Sequence, residues 1–236
     1  MSTSLIAASD PPLGMPGALG GITPAQALGQ LKAGNDRYVR NVSKPVSLSV
    51  NRRKELAAAQ HPTAMVLTCA DSRVPPEHIF NSGLGDLFVI RTEGGVIDRS
   101  ILATIEYGAE RLHAPLLVVM GHEQCDAVKS ATDSTVTPAS PNMDYLVKAI
   151  QAAKRPAPQS DQMDRTSADR DALTTLILNN VEQVINDALG KSAPLRSMVE
   201  DGRLNVVGAY YEMVSGRVVF SEPLQGGSDI HQDARR

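Results

Sequence analysis

The sequence predicts an α/β protein built on a mostly parallel β-sheet with flanking helices. Three short, continuous apolar runs, at residues 64–68, 86–91 and 116–120, have the character of strands buried on both faces. Helical patterns separate the runs, notably at residues 101–112. Because strands that alternate with helices favour parallel pairing, a sheet with helices on both faces is expected.

The helices outside this core are predicted from a cap and from periodicity. Thr23 is a favourable N-cap and Pro24 suits the first helical position, so a helix is expected to run from there toward Tyr38. A second helix is expected over residues 50–59. Apolar residues recur close to every 3.6 positions over residues 171–189, which predicts a long helix.

Turn residues and composition set the remaining boundaries. Residues 204–213 and 217–221 are strand-like and are joined by a Ser-Gly pair, which predicts a hairpin. Residues 1–21 are rich in Gly, Pro and Ser and are predicted to be disordered, and residues 226–236 are predicted to form a flexible tail. Residues 22–225 are expected to form a single domain.

Charge and hydropathy exclude several partners. The chain of 236 residues has a net charge of -3 and no visible basic stripe, so no nucleic-acid partner is expected. No apolar run approaches the ~20 residues that span a bilayer, so no membrane partner is expected. The N-terminal segment does not have the form of a signal peptide. A cytoplasmic location is therefore expected, and a periplasmic or secreted one only if an upstream signal was removed.

Metal-ligating side chains follow two of the predicted strands. Cys69 comes after the first run, and His122 and Cys125 come after the third run and lead into a predicted helix. Sites in open parallel sheets form outside the carboxyl ends of strands, so these three good zinc ligands are expected to meet there. Three protein ligands leave one position for water, whose pKa zinc can lower from ~15.7 to about 7.

Asp71 and Arg73 add a second layer to this predicted site. They are two residues apart, so an extended backbone places both on one side. The guanidinium should keep the Asp71 carboxylate ionised. That carboxylate can then accept the proton of zinc hydroxide and orient its lone pair. Without Arg73, Asp71 could swing onto the metal as a fourth ligand.

Each of these residues also has a plainer interpretation. Two buried cysteines are often small core residues, a single histidine after a strand is often structural, and an Asp-x-Arg pair is usually a surface ion pair. A closed structural zinc site with Asp71 as the fourth ligand is a further alternative. The joint occurrence of all five residues after predicted parallel strands favours a metal site.

These residues closely resemble the signature motifs of the β-class carbonic anhydrases. Residues 69–74 (Cys-Ala-Asp-Ser-Arg-Val) and 121–125 (Gly-His-Glu-Gln-Cys) match the two motifs, residues 85–91 and 106–107 also match, and Asn180, Val181 and Gln183 loosely resemble a later helix motif. The resemblance spans about residues 22–221, which is nearly the whole chain that is predicted to be ordered.

The resemblance implies an activity, a cofactor and an assembly. It implies one Zn²⁺ per chain held by Cys69, His122 and Cys125, with Asp71 and Arg73 as the catalytic dyad. The implied reaction is the reversible hydration of carbon dioxide to bicarbonate and a proton, by attack of zinc-bound hydroxide. The implied fold has about four parallel strands, an antiparallel edge strand and an N-terminal helical arm. That arm would wrap a second copy in a homodimer or a dimer of dimers.

Several positions depart from the usual family pattern. Asp126 stands where glycine is common, Glu93 and Gly95 flank Gly94 where Ala-Gly-Asn is usual, and Ser82 stands where glutamine is often found. An added carboxylate near zinc would raise the pKa of its water or repel bicarbonate.

Some relatives carry an inhibitory bicarbonate site built from Trp, Arg and Tyr. Arg91 and Tyr211 match two of its members, but the chain has no Trp. We therefore expect this second bicarbonate site to be absent or altered.

Two other functions fit the same residues. Hydrolysis of carbonyl sulfide or carbon disulfide is performed by some relatives on this scaffold, and an apolar, narrowed channel would favour it. A zinc-binding or bicarbonate-binding protein without catalysis would follow if the departures abolish turnover. Carbon dioxide hydration is the leading hypothesis, with carbon dioxide and bicarbonate as the ligands.

Overall fold

The structure is a computed structural model that describes residues 21–132, 138–153 and 172–222. The predicted tail at residues 226–236, and all of the predicted disordered segment 1–21 except its last residue, lie outside this range. The proposed domain boundaries therefore stay a prediction.

The described chain alternates strands and helices along most of its length. In order, the elements are α1 (Pro24–Val39), α2 (Val50–Leu56), β1 (Ala64–Cys69), α3 (Pro76–Ile79), β2 (Leu87–Thr92), a 3₁₀ turn (Glu93–Gly95), α4 (Arg99–Glu110), β3 (Leu116–His122), α5 (Asp126–Thr132), α6 (Pro141–Gln151), α7 (Ala172–Lys191), α8 (Ala193–Glu200), β4 (Asn205–Tyr211) and β5 (Val218–Phe220). No helix in these described ranges is long and apolar enough to cross a membrane.

The five strands form one sheet in the order β2-β1-β3-β4-β5. β2, β1, β3 and β4 run parallel, and β5 pairs antiparallel with β4. The predicted fold class is therefore confirmed. β1 and β3 are adjacent at the centre, where Thr68 lies opposite Met120 and its hydroxyl donates to the Met120 carbonyl at 2.7 Å. Their carboxyl ends consequently open at the same edge of the sheet.

Both faces of the sheet are covered, which explains the unbroken apolar runs. On β1, Met65 and Leu67 join a cluster with residues of α4, α7 and α8 on one face. Val66 faces the other way, into a cluster that includes Ala27 and Leu31 of α1. Because successive side chains point to opposite faces, a strand covered on both sides must be apolar at every position. The N-terminal helix thus packs on the sheet of its own chain.

Local signals account for α1, and two predicted segments are shorter than expected. The Thr23 hydroxyl accepts from the Gln26 N–H at 3.2 Å, and the Gln26 side chain accepts from the Thr23 N–H at 2.8 Å, so the predicted start is confirmed by a capping box. α2 ends at Leu56 instead of Ala59, because the helix buries no side chain that would stabilise further turns. The hairpin is confirmed, but its strands end at the wide turn between Tyr211 and Val218.

Two helices were not predicted from the sequence. α6 begins after the N-cap Ser140, whose hydroxyl accepts from the Met143 N–H, and α8 begins after the N-cap Ser192. Both helices are short, with one buried residue in α6 and three in α8. Segments of this length show too few apolar positions for a periodicity to stand out.

Candidate metal centre

The carboxyl ends of the two central strands bring three metal-ligating side chains together. Cys69 ends β1, His122 ends β3, and Cys125 follows three residues later, before α5. One ligand atom from each lies within 4.8 Å of the others. The residues are 2%, 0% and 3% exposed, respectively. The predicted convergence is therefore present in the fold, and both cysteines are free thiols.

Tight local packing fixes the segment that carries His122 and Cys125. A Cβ atom on Gly121 would lie 2.7 Å from Ile177 Cγ2 and 2.9 Å from Val181 Cγ2, so only glycine lets α7 approach β3 this closely. Gln124 then takes a left-handed conformation with φ of 53°, which turns the chain toward α5.

His122 offers one nitrogen to the space between the three side chains. Its Nδ1 lies 2.9 Å from the Glu123 carbonyl oxygen, which can only accept, so Nδ1 carries the proton. Nε2 is buried and has no hydrogen-bond partner of normal geometry. Buried polar atoms are usually satisfied, so this atom has the property of a metal ligand.

The pKa values of the two thiols are shifted in opposite directions. A hydrogen bond from Cys125, aided by His122 and by the backbone N–H groups of Asp71 and Gly94, lowers the pKa of Cys69 to about 4 against the opposing effect of burial. The same hydrogen bond and burial raise the pKa of Cys125. One sulfur is therefore a thiolate while the other keeps its proton. A divalent cation would replace that proton, because metal-bound cysteines are deprotonated.

Asp71 and Arg73 form a close ion pair beside this centre. The Arg73 Nε donates to Asp71 Oδ1 at 3.0 Å, and its Nη2 donates to Oδ2. These bonds outweigh desolvation and lower the pKa of Asp71 to about 2, and they raise the pKa of Arg73. Asp71 Oδ2 lies 4.0 Å from His122 Nε2, so the carboxylate borders the space between the three ligand atoms.

Arg73 also contacts the second ligand-bearing segment. Its Nη2 donates to the Gln124 carbonyl at 3.3 Å. Arg73 therefore links the segment after β1 to the segment after β3. Residue type does not reveal this role of Gln124, because the acceptor is its backbone carbonyl.

Gly94 and Asn180 complete the surroundings of Cys69. The Gly94 N–H donates to Cys69 Sγ at 3.3 Å, and the Asn180 side chain donates to the Gly94 carbonyl at 2.8 Å. Asn180 is 6% exposed, and it follows a second buried amide, Asn179, in the largely apolar buried part of α7. Two adjacent amides within an apolar helical pattern are the signal that could have assigned this position.

The four residues that depart from the family pattern differ in solvent exposure and in their contacts. Asp126 Oδ2 is 3.9 Å from Arg73 Nη2, and the Asp126 side chain is 80% exposed. Partial burial, and then the charges of Cys69 and Asp71, raise the pKa of Glu93. Gly95 has a φ of +65°, and the Ser82 hydroxyl donates to the Phe80 carbonyl at 3.4 Å.

Arg91 and Tyr211 lie on different strands and have different hydrogen-bond partners. Arg91 lies on β2 and Tyr211 on β4, with β1 and β3 between them. Three strand spacings amount to roughly 14 Å. Arg91 donates to the carbonyls of Cys69 and Asp71, whereas the Tyr211 hydroxyl lies 3.3 Å from that of Tyr38. Burial and this contact raise the pKa of Tyr211.

A mostly parallel sheet that carries two thiols and an imidazole at its carboxyl edge defines an α/β protein with a site that could hold a metal ion. A family model described as carbonic anhydrase matches residues 64–218. The chain is 36% identical over 199 residues to carbonic anhydrase 2 of Mycobacterium tuberculosis. That alignment covers 84% of this chain and 93% of the relative. It is also 30% identical over 181 residues to a carbonic anhydrase of Pseudomonas aeruginosa. That alignment covers 74% of this chain and 79% of the relative.

The fold is also similar to solved structures of β-carbonic anhydrases. The β-carbonic anhydrase CcaA aligns with a TM-score of 0.62 at 26% identity, over 72% of this chain and 84% of that chain. A tetrameric β-carbonic anhydrase from Sordaria macrospora aligns with a TM-score of 0.61 at 21% identity. That alignment covers 87% of this chain and 97% of the other chain. The chain therefore belongs to the carbonic anhydrase family, in its β class, as the motifs predicted. It is an enzyme, and the general reaction of its family is the hydration of carbon dioxide.

Proposed function

We propose that this chain catalyses the zinc-dependent, reversible hydration of carbon dioxide to bicarbonate. The observation that carries the proposal is the convergence of Cys69, His122 and Cys125 within 4.8 Å at the carboxyl edge of the sheet. This donor set lies in a chain whose family hydrates carbon dioxide.

The chemistry of the three donors fits zinc. Two thiols and one imidazole form a common zinc donor set. His122 Nε2 is buried without a hydrogen-bond partner, and the sulfurs of the two cysteines lie within 4.8 Å of each other. A zinc ion held here would leave one position for solvent and lower the pKa of a bound water to about 7, which supplies hydroxide at neutral pH.

Asp71 would act on the proton of the attacking solvent molecule. Its carboxylate stays ionised at any pH well above about 2, so it is a hydrogen-bond acceptor at neutral pH. Because Oδ2 borders the space between the ligand atoms, it can accept the solvent hydrogen and leave a lone pair directed at carbon dioxide.

Arg73 would keep Asp71 in that role. It occupies both carboxylate oxygens, so Asp71 is not free to turn into the position that solvent needs. Coordination of the metal by Asp71, as in a closed site, would require this ion pair to break. The present pairing supports the open arrangement.

Metal content and hydration rate test the proposal together. We expect one zinc per chain and rapid hydration in a stopped-flow assay near pH ~8, where such water is largely hydroxide. Cys69→Ser should lose the zinc and the activity. Asp71→Asn should keep the zinc and lose about 10- to 100-fold in kcat. Asp36→Asn, which removes an exposed ion pair with Arg40, is the control and should match the wild type.

The alternative functions predict other results in the same experiment. Zinc-loaded protein that releases sulfide from carbonyl sulfide but does not hydrate carbon dioxide would favour the hydrolase. Zinc-loaded protein with neither activity would favour a binding protein. Zinc-free wild-type protein after zinc supplementation would refute the metal centre itself.

We also propose self-association as a homodimer or a dimer of dimers. Apolar side chains are exposed on and after the end of α1, namely Val39, Val42, Val46, Leu48 and Val50. Exposed apolar groups along one segment are typical of a contact surface. The Sordaria relative is described as tetrameric. Light scattering should give twice or four times the chain mass, and Val42→Ser with Leu48→Ser should shift it toward the monomer. A wild-type monomer at micromolar concentration would contradict this.

A further inference from the structure

We propose that Arg91 is a positioning residue that holds Cys69 and Asp71 as one rigid unit. This inference rests on the proposed function, in which Cys69 is a zinc ligand and Asp71 orients the attacking solvent. It assigns Arg91 a role other than the binding of a second bicarbonate.

The contacts of the Arg91 side chain carry the inference. Its Nε donates to the Cys69 carbonyl at 3.0 Å, and its Nη2 donates to the Asp71 carbonyl. Both donors belong to one planar guanidinium, so the two acceptors are held at a fixed separation. Arg91 lies on β2, next to the strand that ends in Cys69.

The held segment needs such support because it leaves the sheet. Ladder bonding between β1 and β2 ends with the Ala70 N–H, which donates to the Thr92 carbonyl at 3.0 Å. Asp71 lies beyond this last bond. Its carbonyl accepts from Arg91 and from the Val74 N–H, so Arg91 extends the connection from β2 past the end of the strand.

Movement of this segment would displace two functional groups at once. The Asp71 N–H donates to Cys69 Sγ at 3.4 Å, so the backbone position of Asp71 also sets the hydrogen bonding of the sulfur. The Asp71 carboxylate is paired with Arg73 on the same turn. A shift of the carbonyls would therefore change the geometry of the metal ligand and of the dyad together.

The same contacts argue against Arg91 as part of an anion site shared with Tyr211. Two of its nitrogens already donate to backbone carbonyls. β1 and β3 lie between its strand and that of Tyr211, whose hydroxyl lies against that of Tyr38. An anion that took over these two nitrogens would detach Arg91 from the segment that it holds.

Three variants test the inference. Arg91→Met removes both donors but keeps the length of the side chain, and Arg91→Lys keeps the charge but cannot span two carbonyls with one planar group. Arg203→Met is the matched control, because Arg203 precedes the amino end of β4, away from the carboxyl ends of the strands, and its side chain forms an exposed ion pair with Asp201. We would measure the zinc Kd by chelator competition, the visible spectrum of the Co²⁺-substituted proteins, and kcat and KM for hydration.

We expect Arg91→Met to raise the zinc Kd by roughly tenfold or more, to shift the sulfur-to-cobalt absorption, and to lower kcat more than it changes KM. Arg91→Lys should show smaller changes in the same directions, and Arg203→Met should match the wild type. Wild-type zinc affinity and an unshifted cobalt spectrum in Arg91→Met would overturn the inference. The inference would also be overturned if Arg91→Met changed only the dependence of the hydration rate on bicarbonate concentration.

Two further outcomes are decided by the same measurements. If Arg91→Met does not fold, Arg91→Lys decides, because it still loses one of the two bonds and an unshifted cobalt spectrum would refute the inference. If the wild-type protein binds neither zinc nor cobalt, the proposed function fails before any variant is compared. Failure of the metal centre is thus distinguished from failure of the role of Arg91.

Discussion

The backbone N–H of Gly94 donates to the sulfur of Cys69 at 3.3 Å. Gly94 has a φ of +67°, in the left-handed region, and lies in the 3₁₀ turn that follows β2. Hydrogen bonds to a thiolate favour its charged form. A glycine in the turn after the neighbouring strand is therefore part of the electrostatic surroundings of the candidate metal centre.

Replacement of this glycine should weaken both the fold and the metal site. A Cβ atom on Gly94 would lie 2.9 Å from Ile150 Cδ1 and 3.3 Å from Ala127 Cβ. Left-handed strain and overpacking together should lower the free energy of unfolding of Gly94→Ala by about 2–4 kcal/mol. The zinc Kd should rise, because the N–H donor shifts. Urea unfolding of the metal-free proteins and chelator competition measure the two effects.

Gly29→Ala is the control for this substitution. Gly29 lies within α1, and a Cβ atom there would meet nothing within 4 Å. Alanine should therefore stabilise the helix by about 0.5–1 kcal/mol and leave the zinc Kd unchanged. Equal effects of the two substitutions would contradict the role given to Gly94.

Asn180 should affect zinc although it contacts no ligand atom directly. Asn180→Leu keeps the approximate volume but leaves the buried Gly94 carbonyl without its donor, which should cost about 1–3 kcal/mol in the free energy of unfolding. We expect the zinc Kd to rise roughly tenfold. Asn180→Asp should be worse, because it places a carboxylate oxygen against a carbonyl. An Asn180→Leu protein that is destabilised but binds zinc like the wild type would assign Asn180 a purely structural role.

Zinc binding should release about one proton from the thiol pair rather than two. The pKa of Cys69 is lowered to about 4, so this sulfur is already a thiolate at pH 6. The pKa of Cys125 is raised, so this sulfur is protonated and must lose its proton to bind metal. At pH 6, solvent at the metal, with a pKa near 7, adds little to the count.

Calorimetry in two buffers of different ionisation enthalpy measures the number of protons released. Cys125→Ser, whose hydroxyl can still donate to the Cys69 thiolate, should bind zinc more weakly and release fewer protons than the wild type. Release of about two protons by the wild type would mean that both thiols are protonated in the metal-free protein, against the asymmetry found here.

Asp126 should have only a small effect on hydration despite its unusual identity. Its carboxylate is 3.9 Å from Arg73, but its side chain is 80% exposed, and such pairs contribute about 0–1 kcal/mol. Asp126→Asn should therefore change kcat/KM for carbon dioxide by less than about fivefold. Dehydration of the bicarbonate anion should become slightly faster, and the difference should disappear at high salt. A tenfold loss of activity in stopped-flow assays would instead place Asp126 in the catalytic machinery.

The sheet and the ligand positions could be predicted because each has a one-dimensional signature. Residues of β1 such as Val66 and Leu67 are apolar on both faces, so the strand appears as an unbroken run. Cys69 and His122 come at the ends of such runs. Because the strands are parallel, both residues must lie at the carboxyl edge of the sheet.

Other features depend on three-dimensional neighbours and leave no such signature. The carbonyl of Gln124 and the N–H of Gly94 are backbone groups, whose partners are fixed only when the strands are in place. The sequence does not fix the order of the strands either. For that reason, the motif match alone could not show that Arg91 donates to the carbonyls of the segment after β1.

The bond between the Thr68 hydroxyl and the Met120 carbonyl joins positions 52 residues apart in the chain. The ligand-bearing ends of β1 and β3 can meet only after the intervening α3, β2 and α4 have been accommodated, which is a slow, non-local event in folding. We therefore expect the nascent polypeptide to capture its ion late, once the central strands are paired. A bound ion would then stabilise the folded domain against unfolding and would not nucleate its folding.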